Sequence, residues 1–283
     1  MLAVGLVARR RGAEGRGLSD RFDLFVFSTD TSTIGESLAA GVRGVVVDWE
    51  RVGKRHRQAG ADTQIGEDTA ADLARVRRET PAYTLCRIDN TPELLVAQIE
   101  EAIEIGVDEL LVPMIRSATE VAGVLELVGG KCGVGILVET RAAFDELGEI
   151  AALPLSRAYV GLNDLAIDRR RPNIFEPLVD GTVDEIRAHF SVPFGIAGLT
   201  VVDRGAPIPC RLIVAELARL GCTFSFLRRS YHADIRGRDA HVEIPRLLAE
   251  LERAGMRTAP EVEADRDALA EAVEAWAGTP VAL

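Results

Sequence analysis

The stretch that decides the fold runs from residue 133 to residue 168: GVGILVETRAAFDELGEIAALPLSRAYVGLNDLAID. It opens on an apolar run, GVGILVET, that ends at Glu139 and Thr140. An amphipathic segment from Arg141 to Ala151 follows, and then a second apolar run, RAYVGLNDL at 157–165. Two strand-length apolar runs separated by one helix-length segment spell a parallel βαβ unit, since parallel strands need a crossover and a helix is the usual one.

The same unit repeats in both directions. Toward the N-terminus lie ELLVPMI at 109–115, AYTLCRID at 82–89, GVVVDWE at 44–50 and FDLFVFS at 22–28. Helices are expected after them, over 117–128, from Thr91 and Pro92 onward as cap and first-turn proline, over 68–78 after an Arg- and Gly-rich loop, and over 34–40. Toward the C-terminus a longer loop carrying Pro172 and Pro177 precedes a helix near 182–190. SVPFGIAGL at 191–199, a helix over 209–220 and CTFSFLRRS at 222–230 come next, and two helices close the chain, over 244–254 and 260–276.

Eight such units predict an α/β fold, a (β/α)8 TIM barrel with an additional C-terminal helix. The expected organisation is a single domain over 1–283, with the barrel at about 22–255 and the helical extension at about 256–283. An open doubly wound sheet is the rival, but the turn after the first strand, STDTSTIG, holds neither GxGxxG nor a Walker lysine. The apolar stripe of the last helix (Leu269, Ala270, Val273, Trp276) serves equally to cap this barrel or to cover a neighbouring subunit.

With 283 residues, 47% of them hydrophobic and 27% charged, the chain has ordinary globular composition. A net charge of −11 argues against a nucleic-acid binder. The four cysteines form no CxxC pair and read as buried free thiols of a reducing compartment. With no signal-like or membrane-spanning run, the expected location is cytoplasmic.

Barrel active sites lie where strands end and βα loops begin. The polar residues expected there include Asp48 and Glu50 on the second strand, Arg87, Asp89 and Asn90 on the third, and Glu139 and Thr140 on the fifth. Asn163 and Asp164 follow on the sixth, Thr200 and Asp203 on the seventh, and Arg228 and Arg229 on the eighth, while Pro113 and Met114 end the fourth. Glu139 and Asp164 end consecutive apolar strands, and two carboxylates aimed into one mouth suit a hard cation such as Mg²⁺ or Mn²⁺. The alternative is that each acid only caps the helix after it.

Arg87 lies in an otherwise apolar strand and needs a partner: a substrate carboxylate held bidentately, or an internal pair with Asp48 or Glu50. One of Arg228 and Arg229 is expected to face inward, toward a second anionic group of the substrate or toward Asp234 or Asp239. Lysine supplies a negative. Lys131 precedes the fifth strand and Lys54 sits in an Arg-rich loop, so neither fits a Schiff-base aldolase.

Three pieces, LLVPMIRSATEV at 110–121, VETRAAFDELGEI at 138–150 and GLNDLAID at 161–168, resemble the HpcH/HpaI aldolase and citrate lyase beta-subunit family of the phosphoenolpyruvate/pyruvate barrel superfamily. VVVDWE at 45–50 and CRIDN at 86–90 match it more loosely, in the right order. The resemblance covers about Gly44 to Asp168. It implies that Glu139 and Asp164 bind Mg²⁺ or a related ion, that Arg87 binds the carboxylate or enolate oxygen, and that Gly161 to Asn163 line the same pocket with Pro113 and Met114. The implied chemistry is making or breaking a carbon–carbon bond next to a 2-oxo acid through a metal-stabilised enolate. Homo-oligomeric assembly is implied in the same way.

The chain departs from the aldolase branch in lacking its histidine after the second strand. Asp48-Trp49-Glu50 stands there instead, nearer the citrate lyase pattern. Asp48, Glu50, a water or His56 in the following loop therefore compete for the proton-transfer role. Three readings follow: an aldolase with an aldehyde co-substrate, a citryl- or malyl-CoA type lyase with an acyl-CoA, and a barrel that binds a metabolite without turnover. Lys54 to Arg57 could meet a CoA phosphate, though a solvated charge run explains them as well.

Overall fold

Val, Leu and Ile dominate the strand segments on both faces, as expected where one face meets the barrel interior and the other a layer of helices. The computed structural model describes residues 22–52, 67–228 and 230–276. His56, Lys54, Arg57 and Arg229 lie outside the described residues.

The first half of the ring comprises β1 (Asp23–Phe27), α1 (Thr31–Ala39), β2 (Gly44–Asp48), α2 (Ala70–Glu79), β3 (Tyr83–Arg87), α3 (Leu95–Ile105), β4 (Glu109–Val112) and α4 (Ala118–Val128). β5 (Gly133–Val138) leads into α5 (Arg141–Asp145) and α6 (Leu147–Ala151), and β6 (Arg157–Val160) into α7 (Leu162–Arg169) and α8 (Thr182–His189). The ring ends with β7 (Phe194–Ile196), β8 (Gly198–Leu199), α9 (Cys210–Arg219), β9 (Phe224–Leu227) and α10 (Ser230–Asp234), and the chain continues into α11 (Ala240–Gly255) and α12 (Ala259–Ala275).

All strand pairs are parallel, in the order β7-β6-β5-β4-β3-β2-β1-β9-β8. β7 and β8 are two halves of one broken strand, separated by Ala197 alone, whose φ is 40°. The first half pairs with β6 and the second with β9, so the seventh barrel position joins the two ends of the sheet and closes the ring. The Ser225 hydroxyl donates to the Ala197 carbonyl at 2.6 Å and pins the break. The expected (β/α)8 barrel is the fold observed, with its seventh strand kinked.

Strand alternation sorts the side chains into storeys. Phe25, Val46, Leu85, Leu111, Leu137, Tyr159, Phe224 and Phe226 form one cluster inside the ring. Their neighbours in sequence, among them Leu24, Val45, Cys86, Leu110, Ile136 and Leu227, belong to the larger core between the ring and the helices. Two residues before the interior storey, at the strand starts, Glu109 and Arg157 form a buried bidentate ion pair at 2.6 and 2.8 Å. Tyr83 and Ser156 also donate to Glu109, and the Arg157 guanidinium lies over Phe25 and Phe224 at 4.8 and 4.7 Å. Two residues after it, on the same inward parity, come Asp48, Arg87, Pro113, Glu139, Gly161 and Arg228.

Several boundaries differ from the sequence reading. The sixth strand stops at Val160, and Asn163 and Asp164 lie in the first turn of α7 rather than on the strand. Gly161 is the N-cap that lets the helix begin there. Thr91 and Pro92 form a turn ahead of α3, whose N-cap is Leu94 with no side-chain cap. The expected helix over 141–151 breaks into α5 and α6 at Glu146.

The last helix packs on its own chain: Leu269 and Val273 are buried, and Asn173 Nδ2 donates to the carbonyls of Val273 at 2.8 Å and Trp276 at 3.0 Å. All four cysteines are free; Cys86, Cys210 and Cys222 are buried and Cys132 is partly so. Among the described residues no helix is long and apolar enough to cross a membrane.

Because Arg157 and Glu109 are buried together, removing one strands the charge of the other. Glu109→Ala should cost about 3–5 kcal/mol in equilibrium urea unfolding. Glu109→Gln, which keeps hydrogen-bonding capacity, should cost less.

Candidate active site

The acids at the strand ends are gathered around one arginine. Arg87, the last residue of β3, donates from Nε to Asp48 Oδ1 at 2.9 Å and from Nη2 to Asp48 Oδ2 at 2.7 Å. Its Nη1 lies 3.4 Å from Glu50 Oε2, and its guanidinium sits over the Phe27 ring at 5.3 Å. Parallel register sets the main pair, because Asp48 on β2 stands beside Arg87 on β3. Burial by itself would weaken the guanidinium as a base; the neighbouring Asp48 and Glu50 outweigh it, so its pKa is held well above the usual value. The internal pairing foreseen as one of two options is therefore present.

Asp48 is held in turn. Its backbone N–H donates to Asp68 Oδ2 at 2.8 Å, and its Oδ1 accepts from the Glu50 N–H at 3.3 Å. Asp89, the next acid along, works on the loop: its Oδ1 accepts the N–H groups of Arg51 and Val52 at 2.9 and 2.8 Å. Asn90 reaches Glu120 and the Met114 carbonyl, and so ties the β3 and β4 loops together.

Glu139 follows β5 directly and is 3% exposed. Its Oε2 accepts the Met114 N–H at 3.0 Å. Met114 adopts φ 52°, a left-handed conformation unusual for a non-glycine residue, and this turn brings its N–H to the carboxylate. Met114 thus contributes backbone to the site. On the other side Gly161 leaves room for the carboxylate, because a Cβ there would lie 2.0 Å from Glu139 Oε1. Burial pushes the Glu139 carboxyl well up, and the negative charges of Asp164 and then Glu50 push it further, against the opposing pull of Arg87 and the Met114 N–H. Glu139, Asp164 and Glu50 therefore share one electrostatic neighbourhood. Tyr159, in the interior storey below, feels Glu139 as well; burial and that charge raise its hydroxyl pKa.

Buried carboxylates that crowd one another beside a single arginine form a set that a divalent cation would neutralise. Among the described residues no group of three His, Cys, Asp or Glu side chains stands ready to enclose a metal. Glu139 and Asp164 are the side chains that would hold a Mg²⁺-like ion, for which one or two protein carboxylates suffice.

The remaining expected residues separate. Thr140 serves as the N-cap of α5: its Oγ1 accepts from the Ala143 N–H at 3.0 Å and donates to the Ile115 carbonyl at 2.7 Å. Thr200 donates to Asp234 at 2.5 Å, and Asp203 is drawn outward into ion pairs with Arg238 and Arg246. Asn163 Nδ2 is buried with no hydrogen-bond partner. Arg228 makes no ion pair with Asp234 or Asp239 among the described residues; Asp239 caps α11 by accepting from the His241 N–H. Lys131 lies at the end of the barrel away from this mouth, just ahead of β5. Asp68, Phe27 and Tyr159 are parts of the site that sequence patterning missed, since an acid ahead of a helix and aromatic residues in strands carry no signal of where they point.

No family model matches the chain, and no curated protein matches it in sequence. Many solved structures do match in fold, two of them as follows. One is described as citrate synthase SbnG, with TM-score 0.54 and 16% identity over 75% of this chain and 89% of that one. The other is an HpcH/HpaI aldolase from Desulfitobacterium hafniense, with TM-score 0.56 and 13% identity over 76% of this chain and 92% of that one. The chain shares their barrel. At these identities the likeness establishes architecture.

Crowding at residue 161 is directly testable. Gly161→Ala should lose about 1–3 kcal/mol in urea unfolding, as its methyl displaces the Glu139 carboxylate. Gly35→Ala, with open space around the added carbon on α1, should instead gain up to about 1 kcal/mol.

Proposed function

We propose that this chain is a divalent-metal-dependent carbon–carbon lyase of the aldolase type, acting on a pyruvate-like 2-oxo acid. The observation that carries the reading is the buried Glu139 carboxylate, set in one electrostatic neighbourhood with Asp164 and Glu50 at the strand ends beside Arg87. Support comes from the shared architecture of a protein described as an aldolase and another described as a citrate synthase, both of which make or break carbon–carbon bonds by name.

In this reading Glu139 and Asp164 hold Mg²⁺ or Mn²⁺. The ion supplies a Lewis acid for the keto and carboxylate oxygens of the substrate. Met114 and Gly161 fix the Glu139 carboxylate from two sides and so set where the substrate's oxygens lie. Arg87 presents a permanent positive charge toward the negative charge that develops when a proton leaves the carbon next to the keto group. Asp48, bound through both oxygens to Arg87, is a positioning residue. Glu50 touches Arg87 through one oxygen at 3.4 Å and its charge reaches Glu139; in this reading it is the proton-transfer group. The co-substrate is an aldehyde. An acyl-CoA lyase is the second reading, favoured by the Asp48-Trp49-Glu50 sequence where the aldolase branch carries histidine.

Deuterium exchange into the methyl group of pyruvate, followed by proton NMR, tests this without knowledge of the second substrate. Exchange should appear with Mg²⁺ or Mn²⁺ and vanish with EDTA. Glu139→Gln should lose metal binding and exchange together while its circular dichroism is retained. Exchange that survives EDTA would sink the metal reading; exchange that appears only with acetyl-CoA would select the second one.

A further inference from the structure

Arg228 presents a problem of its own. It follows β9 on the inward parity of Phe224 and Phe226, and its backbone N–H continues the ladder to the Leu199 carbonyl at 2.7 Å. Its Nε and Nη2 atoms are buried and have no hydrogen-bond partner. Leaving guanidinium donors unpaired away from water is costly, and burial weakens the group as a base accordingly. Asp234, the acid whose charge it feels, is engaged by the Thr200 hydroxyl at 2.5 Å.

The chain nevertheless makes room for this side chain. A Cβ at Gly198 would come within 2.4 Å of Arg228 Cβ, and a Cβ at Gly205 within 2.9 Å of Nη2 and 2.7 Å of the Cys210 N. Gly205, at φ 109°, therefore lets the guanidinium approach the N-terminal end of α9. A guanidinium and the positive end of a helix dipole repel each other, and both attract an anion. A further donor, Ser230 Oγ, is also buried without a partner, two residues along the chain. Arg228 and Ser230 as whole residues are half-buried. Barrels of this class often bind an anionic group at the loops after the seventh and eighth strands.

We propose that Arg228, supported by the Ser230 hydroxyl, is a second anion subsite at the ends of strands seven and eight. It takes a carboxylate or phosphate carried on the end of the substrate remote from the 2-oxo acid group. The substrate, or the condensed product, then has two anionic ends. One faces Arg87 and the Glu139–Asp164 pair, and the other crosses the broken seventh strand to Arg228. That the anion belongs to the substrate rests on the function proposed above; the subsite itself does not.

The test has two arms, each comparing wild type with Arg228→Met, which keeps the side chain's length and removes its charge. In the first, inorganic phosphate is titrated calorimetrically in EDTA. Wild type should bind it, and the variant should bind about ten- to hundredfold more weakly, as expected for losing a charge-assisted hydrogen bond. In the second, pyruvate, 2-oxoglutarate and phosphonopyruvate compete in the metal-dependent exchange assay. Wild type should prefer one dianionic ligand, the carboxylate or the phosphonate identifying the group, and the preference ratio should collapse toward one in the variant.

Equal phosphate binding by the two proteins overturns the subsite. Phosphate binding lost in the variant, with no pyruvate exchange in wild type, keeps the subsite and rejects the lyase reading. Exchange with no dianion preference keeps the lyase and rejects the substrate assignment. Thermal unfolding supplies the check for a structural role: the variant should be at least as stable as wild type, because an unpaired buried charge has been removed. A marked loss of stability would mean that Arg228 serves the fold.

Discussion

Everything in this molecule hangs on the closure of the ring at strand seven. An open parallel sheet would leave two edges, and strand-end residues spread along a line could not converge. Here β7 pairs with β6, β8 pairs with β9, and Ala197 bends the chain between them. Closure forces the inward-facing residues of every strand into common storeys. A residue's place in the site then follows from its parity and height along the strand, which is why Asp48, Arg87, Glu139, Gly161 and Arg228 share one mouth although they are scattered through the sequence.

That rule explains what was legible from the sequence and what was not. Strand and helix alternation survives translation into structure because apolar periodicity is enforced by burial. The strand ends at Arg87 and Glu139 were legible for the same reason: a charge closing an apolar run marks the height at which the barrel meets solvent. Asp164 was legible as a site acid but was set in the wrong element, because Leu162 and Leu165 are as suitable for a helix's buried face as for a strand. The Met114 turn was invisible, since nothing in methionine favours a positive φ; it is held by its surroundings.

The pairing around Arg87 shows the limit from another side. Sequence admitted two partners for it, substrate or acid, and the register of β2 against β3 decides for Asp48. Arg228 had the same two options, and among the described residues it pairs with neither Asp234 nor Asp239, which accept from the Thr200 hydroxyl and the His241 N–H. Pairing of this kind depends on which rival donor arrives first in three dimensions, and no spacing in the chain encodes it.

The Glu109–Arg157 pair also governs traffic. It fills the axis at the strand starts with a bidentate bridge roofed by aromatic rings. With the packed storey above it, the pair leaves the ring closed at that end. Whatever enters the mouth must leave by it. Access to the residues at the strand ends is a matter of the loops at that rim, never of passage through the ring.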